Sequence, residues 1–182
     1  MVPEKSESDT FESYYSKWPD ELRHFPECVI RQWIFEHNDC FLDKWAHYDL
    51  KNWRFSKVVF QREQLAEIDH FSDERKFYLE LGKKWLQNNG VLNGWIEVEV
   101  TLYMLKNGTF PAPIIVGVNG GHLRHPKSRG EEYMRTPYQI LEGHSRWATA
   151  IASLEMNLTI LNDEHDVWLV DLKENKPVDN RT

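Results

Sequence analysis

A run of five residues, Glu142-Gly143-His144-Ser145-Arg146, combines groups that bind anions with groups that transfer protons. It lies between an apolar segment and a helical pattern, which predicts a strand that turns directly into a helix. Unpaired backbone N–H groups and the positive end of the helix dipole converge at such a turn and favour a bound phosphate. Gly143 allows a close approach of the backbone, and the Arg146 guanidinium matches the geometry of phosphate oxygens.

Each residue of this corner has a predicted role. The predicted phosphate- or nucleotide-binding residues are Gly143, His144, Ser145 and Arg146, and the candidate catalytic acid–base residues are Glu142 and His144. Ser145 can also act as the N-cap of the helix. The alternative interpretation is structural: Gly143 only makes the turn, Ser145 only caps the helix, and the Arg146 side chain is solvated.

Hydrophobic periodicity predicts the elements around the corner. Alternation with a period of two predicts a half-buried strand over residues 96–104, followed by a turn at Asn107-Gly108. A helical pattern running from Arg146 to about Met156 predicts a crossover helix. Three further strands are predicted over residues 114–118, 138–141 and 166–172.

Two helical patterns precede these strands. Residues 72–87 predict a helix that is capped by Ser72. Its predicted buried stripe consists of Phe77, Leu81 and Trp85. Residues 26–38 predict a second helix, in which Pro26 lies in the first turn and His37 lies on the apolar face.

Residues 39–56 are rich in aromatic side chains. We predict that this segment covers the core through short helices or turns and contributes the rings of Trp45, Tyr48, Trp53 and Phe55. The alternative is that the aromatic residues from Trp33 to Phe55 form a stacking platform for nucleic-acid bases. The core interpretation is favoured because few basic residues are interleaved with these rings.

A set of cysteines and histidines in the same half of the chain has the composition of a zinc site. It consists of His24, Cys28, His37 and Cys40. Ligand pairs in structural zinc sites are usually closely spaced and carried on loops. We therefore predict a small buried thiol at Cys28 and a core histidine at His37 instead.

Helical segments come first and strands with one crossover helix follow, which predicts an α+β fold. The predicted organisation is a disordered tail over residues 1–10, an aromatic-rich helical N-terminal region over 11–90 that packs on the core, a domain over 91–175 and a polar tail over 176–182.

Residues from about 96 to 172 resemble the ParB/sulfiredoxin-like superfamily. The likeness rests on the strand Pro113-Ile114-Ile115-Val116 and on a later strand–turn–helix that contains Gly143, Arg146, Trp147 and Ala150. The resemblance implies a mixed sheet with a crossover helix. It also implies a site that handles phosphates or nucleotides, with a Mg-nucleotide as the cofactor and Glu142 orienting a metal-bound water or accepting a proton.

The branches of this superfamily match the corner to different extents. His144 stands at the position of the catalytic cysteine of sulfiredoxins, so their sulfinic-acid repair chemistry is not expected. Gly143 and Arg146 match the ends of the G-E-R-R box with which ParB proteins bind CTP. The corner is most similar to the D-G-H-H-R sequence of the free-serine kinases.

The segment between the second and third predicted strands contains a basic cluster in an acidic protein. We predict that it is a lid over the corner, formed by His122, Arg124, His125, Lys127 and Arg129. The alternative is a solvated, mobile surface loop. A metal shared by His122 and His125 is not expected, because no pair of carboxylates lies near them in the sequence.

Composition limits the possible classes of function. The net charge of −7 argues against broad electrostatic binding to nucleic acid. Two cysteines are too few for a disulfide scaffold, and no apolar run approaches the roughly 20 residues that span a bilayer. With an N-terminus unlike a signal peptide, these features predict a cytoplasmic protein that does not bind membranes.

Three functions are consistent with the sequence. The first is a protein that binds a nucleotide or a phosphorylated small molecule. Such a protein could also be a phosphotransferase or a hydrolase. The second is a non-catalytic adaptor that binds a protein partner or forms a homodimer, which an exposed apolar patch over residues 26–55 would favour. The third is a nucleic-acid-binding protein or nuclease that uses Arg124, Lys127 and Arg129.

Overall fold

The computed structural model describes residues 1–92, 96–125 and 132–175, and its centre is a mixed five-stranded sheet. Its strands are β1 (Arg54–Gln61), β2 (Ile68–Asp69), β5 (Ile114–Val118), β6 (Tyr138–Glu142) and β7 (Glu164–Asp171). A separate two-stranded sheet pairs β3 (Val91–Leu92) with β4 (Ile96–Glu97).

The strand order in the main sheet is β1-β7-β5-β6-β2. β1 is antiparallel to β7 and β5 is antiparallel to β6, whereas β5 lies parallel to β7 and β2 lies parallel to β6. With the helices described next, this sheet confirms the α+β class.

The α-helices are α1 (Phe11–Tyr15), α2 (Glu27–Val29), α3 (Asn38–Lys44), α4 (Ser72–Gln87), α5 (Glu99–Asn107) and α6 (His144–Glu155). A π-helix spans Ile30–Phe35, and 3₁₀-helices span Asp20–Leu22, Leu50–Asn52 and Arg62–Glu67. No helix in the described parts of the chain has the length and apolar character needed to cross a membrane.

The sheet separates two hydrophobic cores because successive side chains of a strand point to opposite faces. In β5, Ile115 packs with the aromatic N-terminal region, whereas Ile114 and Val116 pack with residues of α5 and α6 on the other face. In β6, Leu141 and Ile140 divide between the two cores in the same way. Of the predicted N-terminal region, the residues up to Trp53 therefore cover one face of the sheet, whereas α4 lies with α5 and α6 on the other.

The aromatic N-terminal region is a core, as predicted. Trp53 is fully buried and stacks against Phe25 and Trp33, with ring centroids 6.0 Å from each. Trp33 and Trp45 are also buried, which removes the exposed faces that a base-stacking platform requires.

Residues 1–10 pack against the protein, so the prediction of a disordered tail is wrong for this segment. Val2 is buried, and the carbonyl oxygen of Pro3 accepts hydrogen bonds from the Tyr14 hydroxyl and the Asn38 amide. The backbone N–H of Lys5 donates to the Asn38 side chain at 2.8 Å. Composition alone missed these contacts, which depend on residues far along the chain. The polar tail predicted over residues 176–182 lies outside the described residues.

The predicted helix over residues 26–38 is interrupted. The backbone forms α2 and then the π-helix, and it turns at His37 before α3 begins at Asn38. Because of this turn, His37 is exposed rather than packed in the core as predicted.

Residues 99–107 form the helix α5, so the prediction of a strand over residues 96–104 is wrong except at β4. Thr101, which the alternating pattern placed on the polar face, is fully buried, and its hydroxyl forms a hydrogen bond of 3.0 Å with the Thr149 hydroxyl. Gly108, with a φ of 71°, ends the helix in the left-handed conformation.

The helix α4 has the predicted bounds, but its buried face is rotated from the predicted stripe. Trp85 is buried as predicted, whereas Phe77 is 61% exposed. The N-cap position belongs to Phe71 rather than to Ser72.

Gly82 lies at the closest approach of α4 to α6. A Cβ atom at Gly82 would overlap the carbonyl oxygen of Ala148 and lie 3.1 Å from the Cβ of Ala152. The two helices thus pack through small residues with nearly no side chain between their backbones.

The strands predicted over 114–118, 138–141 and 166–172 correspond to β5, β6 and β7, and the predicted crossover helix corresponds to α6. The sequence analysis missed β1 and β2. β1 pairs with β7, more than a hundred residues later in the chain, and no local pattern indicates that pairing.

Candidate functional site

The corner at Gly143 opens onto a cleft of about 470 Å³. α3 forms one wall of the cleft, the beginning of α4 forms another, and the end of β6 and the first turn of α6 form the base. This volume lies within the range of roughly 300–1,000 Å³ that is typical of small-molecule sites. Three segments that are distant in sequence therefore meet at one concave site.

The strand–turn–helix corner is confirmed. β6 ends at Glu142, α6 begins at His144, and Gly143 between them has a φ of 90°, a conformation that favours glycine. A Cβ at Gly143 would lie 2.8 Å from Cγ2 of Ile114 and 3.0 Å from Nε of Arg146. The first bond of the helix runs from the N–H of Trp147 to the carbonyl of Gly143, so the N–H groups of residues 144–146 have no acceptor within the helix.

Arg146 does not project into the cleft as a free phosphate-binding fork. Its Nη2 donates to Oε2 of Glu142 at 2.5 Å, and its Nη1 donates to the carbonyl oxygens of Ala112 at 2.8 Å and Pro113 at 3.1 Å. The residue is only 8% exposed. Its guanidinium is used to fix the corner to the segment that leads into β5.

Glu142 is the other half of this buried ion pair. Its side chain is 10% exposed, and burial raises the pKa of its carboxyl group while the adjacent Arg146 guanidinium opposes that rise. The carboxylate thus has a structural partner, in addition to the catalytic role that the sequence predicts for it.

Ser145 is not the N-cap of α6. Gly143 occupies that position without a side-chain cap, and Ser145 lies one residue inside the helix, where its carbonyl accepts a bond from the Thr149 hydroxyl. Ser145 remains half-buried on the lining of the cleft.

His144 lies at the base of the cleft among other rings. Its ring stacks on Tyr78 at a centroid distance of 5.0 Å with an interplanar angle of 28°, and it lies 5.0 Å from the ring of His70. Burial, reinforced by the charge of Lys44, lowers the pKa of His144 to about 3. The imidazole is therefore neutral at pH 7, and its unprotonated nitrogen can accept a hydrogen bond.

His70 is a candidate site residue that the sequence analysis missed. It is 6% exposed and lines the cleft, and its Nδ1 accepts the backbone N–H of Phe71 at 2.8 Å. Burial lowers the pKa of His70 to about 2, so the ring is neutral and carries one proton. Because Nδ1 accepts a hydrogen bond, that proton is on Nε2. This Nε2–H group has no acceptor within the described residues and is a donor available to a ligand.

Lys44 is the second residue that was missed. It ends α3, lines the cleft and forms no salt bridge with any residue that the structure describes. Its charge contributes to the lowered pKa values of His70, His125 and His144, which line the same cleft. A lysine on a short N-terminal helix has no local sequence signal that links it to a corner a hundred residues away.

The predicted lid is only partly near the cleft. His125 is buried and lines the cleft, in contact with the rings of Trp45 and Phe71. His122 instead binds the carbonyl oxygen of Asn175 at 2.9 Å, and Arg124 forms a β-bridge with Tyr133. Lys127 and Arg129 lie outside the described residues.

The cysteines do not behave as predicted. Cys28 is exposed rather than buried, and Cys40 is exposed on the rim of the cleft beside His37. Within the described ranges, no group of three or more histidine, cysteine or acidic residues is arranged to hold a metal ion.

The surface of the N-terminal region bears on the adaptor hypothesis. Residues 26–55 are all described, and none of the large hydrophobic side chains that the structure exposes lies among them. The apolar patch that would favour an adaptor is therefore not present on this segment.

No family model, curated protein or solved structure matches this chain. We therefore infer its function from the geometry and the charges of the cleft.

Proposed function

We propose that the cleft binds the phosphate group of a nucleotide or of another phosphorylated small molecule. The observation that carries this proposal is the convergence of the first turn of α6, the Lys44 ammonium and the His70 Nε2–H on one concave site. Backbone N–H groups at a helix N-terminus, a point charge and a neutral N–H donor are all ligands of phosphate oxygens.

The ligand's anion is bound by groups other than those that the sequence indicated. Arg146 is committed to Glu142 and to two carbonyl oxygens, so Lys44 supplies the charge instead. The buried ion pair keeps the corner in the conformation that directs the N–H groups of α6 at the cleft. In this proposal Gly143, His144 and Ser145 contribute backbone contacts, and Arg146 is a positioning residue.

His144 would orient the attacking group in this cleft rather than deprotonate it. Because its pKa is about 3, its neutral imidazole is a weak base, and it accepts a hydrogen bond from a water or a hydroxyl that attacks the bound phosphate. Glu142 acts through Arg146 rather than on the ligand.

Within the part of the chain that the structure describes, the cleft offers one free carboxylate, that of Glu74, to the Mg²⁺ of a Mg-nucleotide. Oε2 of Glu142 is held by Arg146, whereas Oε2 of Glu74 is buried at the cleft without a hydrogen-bond partner in the described residues. Mg²⁺ is often bound by one or two protein carboxylates together with substrate phosphates. Glu74 would therefore hold the ion, which would supply charge neutralisation at the phosphates.

We also propose that residues 96–172 have a ParB/sulfiredoxin-like arrangement. The parallel pairing of β5 with β7 and the direct passage from β6 to α6 at Gly143 support it.

Isothermal titration with inorganic phosphate and a panel of nucleotides, with and without Mg²⁺, tests the phosphate proposal. We expect wild type to bind at least one of these compounds and Lys44→Ala to bind it at least tenfold more weakly. The matched control is Lys106→Ala, which removes an exposed lysine in the last turn of α5, away from the cleft.

Two results would contradict the proposal. One is that none of the phosphates binds to the wild-type protein. The other is that Lys106→Ala weakens binding as much as Lys44→Ala does, since binding would then reflect general charge and not this cleft.

A further inference from the structure

The charges and rings of the cleft restrict its ligand further. We propose that the ligand is a phosphate monoester on an aromatic or heteroaromatic group, such as an aryl phosphate or a nucleoside monophosphate, and not a polyphosphate. This inference rests on the proposed function and specifies the class of compound that binds there.

The charge of the cleft suits one phosphate group. Two cations line it, Lys44 and Arg146, and two carboxylates oppose them, Glu74 and Glu142. Arg146 is neutralised by Glu142 in the buried ion pair. Glu74 opposes Lys44, so Lys44 and the N-terminus of α6 bind an anion with little excess positive charge. A helix N-terminus carries roughly half a positive charge. A triphosphate would bring three or four negative charges to a site with so little positive charge.

The histidines of the cleft do not add cations at neutral pH. Burial lowers the pKa of His70 to about 2, that of His144 to about 3 and that of His125 to about 4. These rings therefore serve as neutral hydrogen-bonding and stacking groups. His70 as a residue is more than nine-tenths buried, and its Nε2–H has no acceptor within the described residues, so this group is suited to one oxygen of a phosphate.

The rest of the cleft is a wall of rings. Trp45, Phe71 and Tyr78 line it together with His125. Tyr78 is half-buried and is already stacked on His144, so a planar group of the ligand can extend that stack. A wall of this kind has no role in binding inorganic phosphate, but it stabilises an aromatic ester of it.

The geometry gives the ligand one orientation. The phosphate lies against the first turn of α6, near Lys44 and His70, and the ring lies against Phe71 and Tyr78 at the beginning of α4. The cleft, at about 470 Å³, has room for both groups together.

Titration calorimetry of the full chain at one fixed salt concentration tests this inference. The ligands are inorganic phosphate, phenyl phosphate, adenosine, AMP, ATP and pyrophosphate, the last two with and without Mg²⁺. We expect phenyl phosphate or AMP to bind about tenfold more tightly than inorganic phosphate and at least tenfold more tightly than ATP or pyrophosphate.

A pair of variants tests the ring wall. We expect Tyr78→Leu to reduce the preference for phenyl phosphate over inorganic phosphate, measured as the ratio of the two affinities in the same variant, to less than threefold. The control is Tyr103→Leu, which changes an exposed tyrosine on α5 and should leave both affinities unchanged. Thermal melts of both variants identify a loss of folding, in which case Tyr78→Phe, which keeps the ring, must retain the preference.

The outcomes separate this inference from the proposed function. If ATP or pyrophosphate binds as tightly as AMP, or if phenyl phosphate binds no better than inorganic phosphate, the monoester inference is wrong and the phosphate site stands. If adenosine binds as tightly as AMP, or if no phosphate binds, the proposed function itself is wrong.

Discussion

The base of the cleft and its α3 wall differ in how their charged residues are used. At the β6–α6 corner, Arg146 binds Glu142 and a backbone carbonyl oxygen, so the two charges neutralise each other and stabilise the fold. On the α3 wall, Lys44 is exposed to the cleft and has no salt-bridge partner within the described residues. A motif with the composition of a binding site can therefore be its scaffold, while the binding charge comes from another element.

Arg146→Ala should have the largest effect on stability. It leaves the Glu142 carboxylate buried without a partner, which costs about 3–5 kcal/mol in the free energy of unfolding. Urea denaturation measures the loss. The double variant Glu142→Leu with Arg146→Met should recover part of it, because no uncompensated charge remains. If Arg146→Ala is as stable as wild type, the corner does not depend on this ion pair.

Acidification should weaken the fold through the buried histidines. Their folded-state pKa values, about 4 for His125, about 3 for His144 and about 2 for His70, lie below the unfolded value near 6.5. The contribution of these neutral histidines to the free energy of unfolding is complete above pH 6.5. It is lost as the pH falls towards the folded-state pKa values, because the unfolded chain then binds protons that the folded protein does not bind.

The expected slope is at most about 1.4 kcal/mol per pH unit for each histidine. Denaturation at a series of pH values between 4 and 8 gives this slope. His125→Gln should make the curve less steep below pH 6.5. An unfolding free energy that does not change across this range would contradict the neutral, buried state of these rings.

Gly143→Ala should have a moderate effect. The positive φ and the 2.8 Å approach to Ile114 both oppose a Cβ at this position, at a cost of about 1–3 kcal/mol. Ser145→Ala, two residues later, is the comparison variant and should change the free energy of unfolding by less than about 0.5 kcal/mol. Equal losses in both variants would indicate that the corner has no special backbone requirement.

Lys44→Ala should have the smallest effect on stability, within about 0.5 kcal/mol, although it removes the binding charge. Because the Lys44 ammonium lowers the pKa values of His70, His125 and His144, its removal should raise all three. Imidazole NMR signals followed against pH measure these shifts. A stability loss like that of Arg146→Ala would contradict the distinction between the base of the cleft and its α3 wall.

The parts of the structure that the sequence predicted are those with local causes. The corner at Gly143 was predicted because a strand, a glycine and a helix follow one another directly, and α4 was predicted because its pattern spans four turns. The helix α5 was not, because its apolar residues alternate while its burial depends on Thr149 of another helix. β1 was missed because its partner, β7, is remote in sequence.

For the same reason, the sequence predicted the residues of the corner but not the other residues of the site. Local pattern identifies the residue types at the corner, and only the folded chain shows that Arg146 is bound to Ala112 and Pro113. Lys44 reaches the cleft on α3, and His70 reaches it from the link between β2 and α4. No spacing within either segment encodes that meeting.

The contact between Gly82 and Ala148 has a consequence for the shape of the cleft. Tyr78 lies one helical turn before Gly82 on α4, and His144 lies one turn before Ala148 on α6, so the stacked rings lie one turn above the point where the two backbones meet. The absence of a side chain at Gly82 therefore sets the spacing between the two helices next to the base of the cleft. A methyl group there would spread α4 from α6 and pull the Tyr78 ring away from the His144 ring, which would change the shape of the cleft without any change in a residue that lines it.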